Sequence, residues 1–189
     1  MEKRGFTLAE IMLAIFITGL IFSLISGVYV VLKNIYQQTD SQAEITQNGR
    51  VILDRMVREI RQSPKISTTL PPGPDQAPNE IQFQDGHQVE QILYIRYYLE
   101  DNNLRRQLIA YYFPTAPQTY VYQDAIDKDP PHDPALPIIL DDRLAGEYIN
   151  DLKFWGDKLI NINISLSKNN TTKTFFTSIF GRNLSLKKY

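Results

Sequence analysis

The chain opens with an apolar stretch that is long enough to cross a membrane. Residues 11 to 32 contain neither a charge nor a proline. As a helix this stretch would measure about 33 Å, against a hydrocarbon core of about 30 Å. Lys3 and Arg4 precede it and only Lys33 follows closely, so the basic residues favour an N-terminus in the cytoplasm. The pattern predicts one membrane-spanning helix with the bulk of the chain outside.

The polar stretch that follows keeps the period of a helix. Apolar residues recur at spacings of three, four and seven, which predicts one apolar face: Ile45, Ile52, Leu53, Met56, Val57 and Ile60. The other face carries charges: Arg50, Asp54, Arg55, Arg58, Glu59 and Arg61. It is predicted to be solvated, with Asp54–Arg58 and Arg55–Glu59 as i,i+4 pairs, and a partner-binding surface is the disfavoured alternative. Gly49 allows a bend, and Pro64 ends the predicted helix.

Prolines and a glycine then mark a linker before a series of strands. Residues 69 to 79 contain four prolines and one glycine, which excludes a helix or a central strand. Alternation predicts three strands in a meander, one at 81–83, one at 89–99 and one at 104–112, with turns at Asp85-Gly86 and Asp101-Asn102-Asn103. The segment 122–137 has no predicted element.

A second group of strands follows near the C-terminus. The predicted strands are 152–155, 160–166 and 172–179, with turns at Gly156-Asp157 and Lys168-Asn169-Asn170. The middle strand alternates cleanly between isoleucines and polar residues, so one of its faces is expected to be buried. Antiparallel strands packed against the lower half of a long helix predict an α+β fold.

Composition excludes several classes of function. The chain has 20 basic and 21 acidic residues, which disfavours a nucleic-acid binder because phosphate neutralisation needs a positive surplus. It has no cysteine, so disulfides, thiolate metal sites and thiol nucleophiles are excluded. No glycine-rich phosphate loop occurs. We expect no cofactor and no enzymatic activity.

Few residues suggest a metal site or a catalytic site. His87 and His132 lie in predicted loops without suitable partners and are expected to be surface residues. Acidic residues crowd one region, where calcium is an open but disfavoured alternative to solvated acids: Asp124, Asp127, Asp129, Asp133, Asp141 and Asp142. No metal ligand is therefore assigned.

The most informative charge is Glu10, at the edge of the apolar stretch. An acid in a membrane segment is costly and usually has a function. Thr7-x-x-Glu10 matches a capping box, which satisfies free amides at a helix start. A cap alone, however, does not explain Gly5 directly before Phe6, or why the basic residues stop at Arg4.

The string Arg4-Gly5-Phe6-Thr7-Leu8-x-Glu10, followed by the apolar stretch, resembles the class III signal of type IV prepilins and type II secretion pseudopilins. The resemblance implies cleavage between Gly5 and Phe6 by a prepilin peptidase, and N-methylation of Phe6. It also implies a role for Glu10 in assembly. The N-terminal amine that cleavage creates in a neighbouring subunit could pair with the Glu10 carboxylate, which would otherwise be unpaired in the membrane.

The later chain resembles J-type pseudopilins and W-type minor pilins. The similar segments are the stem 53–62, the Ile81-x-Phe83-x-Asp85-Gly86 strand, Leu104-x-Arg106, Leu152-x-Phe154 and the terminal Arg182-Asn183. The resemblance implies a leader peptide (1–5), a membrane and assembly helix (6–33), an amphipathic stem helix (34–63), a linker (64–79) and a β head (80–189). The implied partners are other pilin-like subunits and an inner-membrane assembly platform.

Other interpretations remain open at this stage. A cleavable secretory signal is disfavoured because its apolar region is normally 7 to 15 residues long. A membrane-anchored binding module that recognises a ligand or DNA outside the cytoplasm is the main alternative function. An anchored hydrolase is disfavoured because no nucleophile and base can be paired. Secretion pseudopilus, type IV pilus and DNA-uptake pilus share the same signal and are not distinguished.

Overall fold

A computed structural model describes residues 7–87, 91–129 and 131–181. The chain divides into two compact units, one up to Ser41 and one from Gln42 onward. Helix α1 spans Leu8–Gln62 and contributes to both units. Among the described residues eight strands follow it, all in the second unit.

The described part of the first unit is the N-terminal part of α1, which contains the apolar stretch. Every residue from 11 to 32 is exposed, although most of these side chains are large and apolar. By length and composition this is a helix that could cross a membrane. Thr18 and Ser26 each donate a side-chain hydrogen bond to the backbone carbonyl four residues earlier, so their hydroxyls are satisfied within the helix.

In the second unit the apolar face of α1 is buried, as its spacing predicts. Ile45, Met56 and Ile60 are fully buried, and Ile52 is nearly so. The helix ends at Gln62, two residues before Pro64, where the next turn would need an amide that proline lacks. The Ser63 hydroxyl donates to the backbone carbonyl of Lys65 at 2.9 Å and so holds the exit from the helix.

Five strands form the first sheet, with antiparallel pairing throughout. They are β1 (Glu80–Gln84), β2 (Leu93–Glu100), β3 (Asn103–Phe113), β4 (Ala116–Val121) and β5 (Leu136–Gly146). Strand β3 pairs with β2 and, near its end, with β4. Strand β5 also pairs with β3, over nearly the whole length of both strands.

The second sheet is an antiparallel meander of β6 (Ile149–Trp155), β7 (Leu159–Lys168) and β8 (Thr171–Phe180). Its isoleucines at 160, 162 and 164 are fully buried, whereas Asn161 and Asn163 point to the other face. One core joins both sheets to α1, because the buried residues of the helix, of β1–β3 and of β6–β8 form a single cluster. The predicted α+β class is confirmed.

Two strands were not predicted from the sequence. Strand β4 begins with Ala116-Pro117 and pairs with β3 only at three positions, which suits a proline at a sheet edge. Strand β5 contains Pro137, four consecutive apolar or proline positions after Leu136, and three adjacent charges, so it shows no alternation. Both fall in or beside the segment 122–137, to which no element was assigned.

The predicted linker is tied to both sheets. Ser67 and Thr68 donate backbone hydrogen bonds to the Gln82 carbonyl in β1, at 2.8 and 3.1 Å. Further along, the amides of Phe154 and Gly156 donate to the carbonyls of Pro78 and Pro71. The backbone groups of the proline-rich linker, which form no strand ladder of their own, are therefore hydrogen-bonded to backbone groups of the two sheets.

Candidate functional site

The first candidate site lies at the start of α1, where Thr7 and Glu10 form a capping box. The Thr7 amide and the Thr7 hydroxyl both donate to Glu10 Oε2, at 2.8 and 2.9 Å. The Glu10 amide in turn lies 3.3 Å from Thr7 Oγ1. Both residues are exposed. The acid thus satisfies amides that would otherwise lack a partner at the helix start.

The capping box leaves part of the carboxylate available. Both bonds from Thr7 go to the same oxygen, Oε2, and a carboxylate has two oxygens with about four acceptor positions. A cation from outside this unit could therefore approach Oε1 without displacing the cap. Gly5 and Phe6, the predicted cleavage and methylation residues, lie outside the described residues.

A second site is an ion pair between α1 and β3 in the second unit. Arg106 Nε donates to Glu59 Oε2 at 3.1 Å, and the Tyr97 hydroxyl donates to the same oxygen at 2.8 Å. The Arg55 side chain contacts Glu59 Oε1 at 3.4 Å. The side chains of Arg106 and Glu59 are only 8% and 11% exposed. This is the most buried ion pair among the described residues.

Burial and charge act together on these groups. Burial, followed by the negative charge of Glu59, raises the pKa of the Tyr97 hydroxyl well above its usual range, so it stays protonated and donates. Burial opposes the charged form of Arg106, but the hydrogen bond and charge of Glu59 outweigh it and raise its pKa. The Arg106 Nη1 atom is buried without a hydrogen-bond partner, so Glu59 is the group that balances the buried cation.

The position of Glu59 corrects the prediction of a wholly solvated charged face. The expected Arg55–Glu59 pair forms, but Glu59 also faces β2 and β3 through Tyr97 and Arg106. Arg50, Asp54 and Arg58 are exposed as predicted. The reason is the width of the buried stripe: two sheets cover α1, so a residue flanking the apolar positions is enclosed as well.

The acidic region is held by ordinary hydrogen bonds and ion pairs. Asp124 pairs with Lys65 at 2.8 Å, and Asp142 with Arg105 at 2.7 Å. Asp127 accepts from the Thr115 hydroxyl at 2.5 Å and from the Asp129 amide at 3.1 Å. The Thr115 bond is the main cause of a lowered pKa at Asp127. Within the described ranges, no group of three or more His, Cys, Asp or Glu side chains is arranged to hold a metal ion.

The two histidines lie in surface segments, as expected. His87 Nδ1 is 2.6 Å from Asp85 Oδ1, beside the predicted Asp85-Gly86 turn. His132 has positive φ and contacts the backbone carbonyl of Asp127 at 3.1 Å. Each histidine thus has a local structural partner.

Three tyrosines of the first sheet, Tyr94, Tyr97 and Tyr111, are buried. Tyr94 and Tyr97 are almost fully buried, and Tyr94 meets Tyr111 edge to face at 5.2 Å between ring centres. Each of these hydroxyls has a partner: Tyr94 accepts from the Gln123 amide and Tyr111 from the Gln82 side chain. The aromatic residues therefore stabilise the sheet, as their number suggests.

Comparisons of the chain with protein-family models, with curated proteins and with solved structures found no match.

Proposed function

We propose that the chain is a minor pilin or pseudopilin, a structural subunit that assembles near the tip of a type IV pilus or type II secretion pseudopilus. The observation that carries the proposal is Glu10. It lies in the first turn of a helix, four residues after Phe6, and the 22 residues that follow it (11 to 32) carry no charge and are all exposed. An exposed apolar helix of this length needs lipid or other helices around it.

Its partners follow from that role. A prepilin peptidase would cleave between Gly5 and Phe6 on the cytoplasmic side, and Phe6 would be N-methylated. The processed chain would lie in the inner membrane with its head outside the cytoplasm, until an assembly platform draws it into a filament with other pilin-like subunits. The protein would act without a cofactor and without binding nucleic acid.

Glu10 would guide docking between subunits. The Thr7 bonds use one carboxylate oxygen, so a neighbour's N-terminal amine can pair with the other. Once helices surround the pair, removing one partner leaves a buried charge, which typically costs about 3 to 5 kcal/mol. The acid that is costly in lipid would thus favour the assembled state.

The first test is processing. Gly5→Ala should leave an uncut precursor that is visible on a gel and by N-terminal sequencing of the product. Gly19→Ala is the matched control, because the space around Gly19 is open and the site of cleavage is untouched. Normal cleavage of Gly5→Ala would contradict the proposal and would make a membrane-anchored binding module the better explanation.

The second test is assembly. Glu10→Gln should be cleaved normally but should enter filaments on the order of a hundredfold less efficiently, as the loss of a buried pair implies. Asp40→Asn is the matched control, since Asp40 is an exposed acid on the same helix. Sheared filaments and co-purified pilin-like subunits are the quantities to measure. Equal assembly of both variants and the parent would contradict the role given to Glu10.

A further inference from the structure

One side of α1 in the second unit is covered by neither sheet. Opposite the buried face it carries exposed side chains at helical spacing: Ala43, Gln47, Arg50, Asp54, Arg58 and Arg61. Val51 lies among them and is 61% exposed. We call the part of this side that runs from Arg50 to Arg61 the arginine face. At 1.5 Å per residue it is about 16 Å long.

The three arginines of this face lack an acidic partner. Every other arginine that the structure describes is in an ion pair: Arg55, Arg96, Arg105, Arg106 and Arg143. Among the described residues, neither a hydrogen bond nor an ion pair involves Arg50, Arg58 or Arg61. The predicted Asp54–Arg58 pair does not form either, so these cations are not neutralised within the helix.

The sign of this face differs from that of the chain as a whole. Three arginines against Asp54 leave it a surplus of two positive charges, whereas the full chain has 20 basic and 21 acidic residues. An acidic partner is therefore attracted to this face and repelled by much of the remaining surface. Such a charge pattern directs both the approach and the choice of a partner.

The order of the charges narrows the class of partner. Along the helix the face is positive at Arg50, negative at Asp54 and positive again at Arg58 and Arg61. A uniformly negative ligand such as nucleic acid meets repulsion at Asp54. A helix alongside α1 complements all four charges if it carries acids opposite the arginines and a basic or neutral residue opposite Asp54. Val51 supplies the apolar contact that packed helices need.

A second copy of this chain does not supply that pattern. Two arginine faces bring surpluses of the same sign together, and antiparallel packing places Arg50 of one copy near Arg61 of the other. Like charges at such positions are destabilising. The complementary helix must therefore come from a different protein.

We propose that the arginine face of α1 is a docking surface for an acidic helix of a different protein. The partner presents carboxylates to Arg50, Arg58 and Arg61 and an apolar side chain to Val51. The inference concerns residues outside the apolar stretch and does not depend on cleavage at Gly5. It applies to a subunit that joins unlike neighbours and equally to a membrane-anchored binding module.

Photo-cross-linking identifies the occupant by its sequence. Val51 of the full chain, expressed in the organism that encodes it, is replaced by the photoreactive residue p-benzoylphenylalanine. Mass spectrometry then identifies the cross-linked peptide. The expected product is one segment of one other protein, with two or more acids at helical spacing. The same replacement at Thr174, an exposed residue of β8, is the control and should not yield that segment.

Charge reversal tests the complementarity. Arg58→Glu with Arg61→Glu should reduce the yield of the cross-link about tenfold, because two attractive contacts become repulsive. Changing two acids of the cross-linked segment to lysine should restore it, which a variant that merely unfolds would not allow. Lys128→Glu with Lys158→Glu is the matched control, since it reverses two exposed charges outside this face, and should leave the yield unchanged.

Three results would overturn the inference. One is a cross-linked segment that lacks acids at helical spacing or belongs to a second copy of this chain. Another is the absence of a cross-link although the Val51 variant is present in the membrane at the parent's level. The last is an equal yield from the parent charges, the reversed arginines and the reversed lysines. Failure of the Gly5→Ala test would leave this inference intact.

Discussion

Glu59 shows how much can depend on one charged side chain at the border of a buried helix face. It accepts hydrogen bonds from Tyr97 and Arg106, and neither it nor Arg106 is more than about a tenth exposed. A buried pair contributes little net stability over an apolar pair of the same shape, whereas a single unpaired member is strongly destabilising. The pair therefore favours the position of α1 against β3 in which Glu59 and Arg106 remain bonded to each other.

The first prediction follows from this asymmetry. Arg106→Met should lower the free energy of unfolding by at most about 3 to 5 kcal/mol, because Glu59 is left buried and charged with only the longer contact to Arg55. Glu59→Leu in the same chain should recover most of that loss. The measurement is urea unfolding of the full chain in detergent, followed by tryptophan fluorescence. If the double variant were as unstable as the single one, the charge would not be the cause.

Asp142 gives a prediction about pH. The Gln107 hydrogen bond first, and then the hydrogen bond and charge of Arg105, lower its pKa in the folded state. The unfolded value is about 3.9. A lowered folded pKa means that the charged form stabilises the fold at neutral pH, and that this contribution is lost as the pH falls below about 4 through the folded pKa.

Asp142→Asn should therefore be less stable than the parent at pH 7, by less than about 1 kcal/mol since the pair is partly exposed. The difference should shrink as the pH falls below about 4, the pKa of an unfolded aspartate, and should vanish once the pH is below the lowered folded pKa. Thermal unfolding as a function of pH measures it, with Asp75→Asn, in the exposed 3₁₀ turn 74–76, as the control. A difference that persisted unchanged in acid would show that the amide acts by another route.

At the scale of elements, the contact between α1 and β8 depends on Gly49. A Cβ atom there would lie 2.5 Å from the ring of Phe175, which is too close for two carbon atoms. The sequence allowed a bend at this glycine, and α1 runs through it from Leu8 to Gln62. Gly49 also provides room for an aromatic ring of the second sheet.

We expect Gly49→Ala to destabilise the parent, because the clash outweighs the roughly 1 kcal/mol that alanine gains in a helix. In a Phe175→Ala background the same substitution should stabilise by about that amount. A double-mutant cycle from chemical unfolding measures both signs. Stabilisation in both backgrounds would mean that the ring moves aside at no cost.

The elements that the sequence predicted are those with a clear period. The apolar face of α1, the alternation of β7 and the Asn169-Asn170 turn follow from spacing and turn chemistry alone. The structure places Asp101 and Asn102 at φ 48° and 60°, as a two-residue hairpin turn requires. Strand β5 was not predicted, because its partner strand β3 lies about 30 residues away in the chain and because the sequence of β5 does not alternate.

Of the two candidate sites, only the one with a local sequence motif was predicted. The Thr7–Glu10 box was visible as a four-residue motif, and its hydrogen bonds are present. The Glu59–Arg106 pair was not predicted, because no local pattern links a helix residue to a strand 47 positions later. The clue was an acid directly beside buried Ile60 and an arginine at an inward position of β3, between Leu104 and Leu108.

At the scale of the whole molecule, the exposed apolar part of α1 predicts firm membrane association. The full chain should resist extraction by high salt and by alkaline carbonate and should dissolve only in detergent. Leu20→Arg with Leu24→Arg places two charges near the centre of the apolar stretch, where each costs about 2.5 to 3.5 kcal/mol. We expect this variant to shift to the soluble fraction or to be degraded.

The matched control is Arg58→Leu with Arg61→Leu, which changes two exposed charges of α1 in the second unit. Fractionation of cells with an antibody against a C-terminal tag makes the comparison. Complete membrane retention of the doubly charged variant, at the parent's abundance, would contradict a spanning helix.

The pairing of the strands also has a consequence for how the protein folds. In both sheets each pairing joins neighbours in the chain, with the exception of β3 with β5. Neighbouring strands close short loops and can form within microseconds, whereas distant pairings wait for loop closure. We therefore expect amides of the β2–β3 and β7–β8 hairpins to gain protection in pulse-labelled hydrogen exchange before those of β5. The strand that docks last would then be the same strand that still has a free edge.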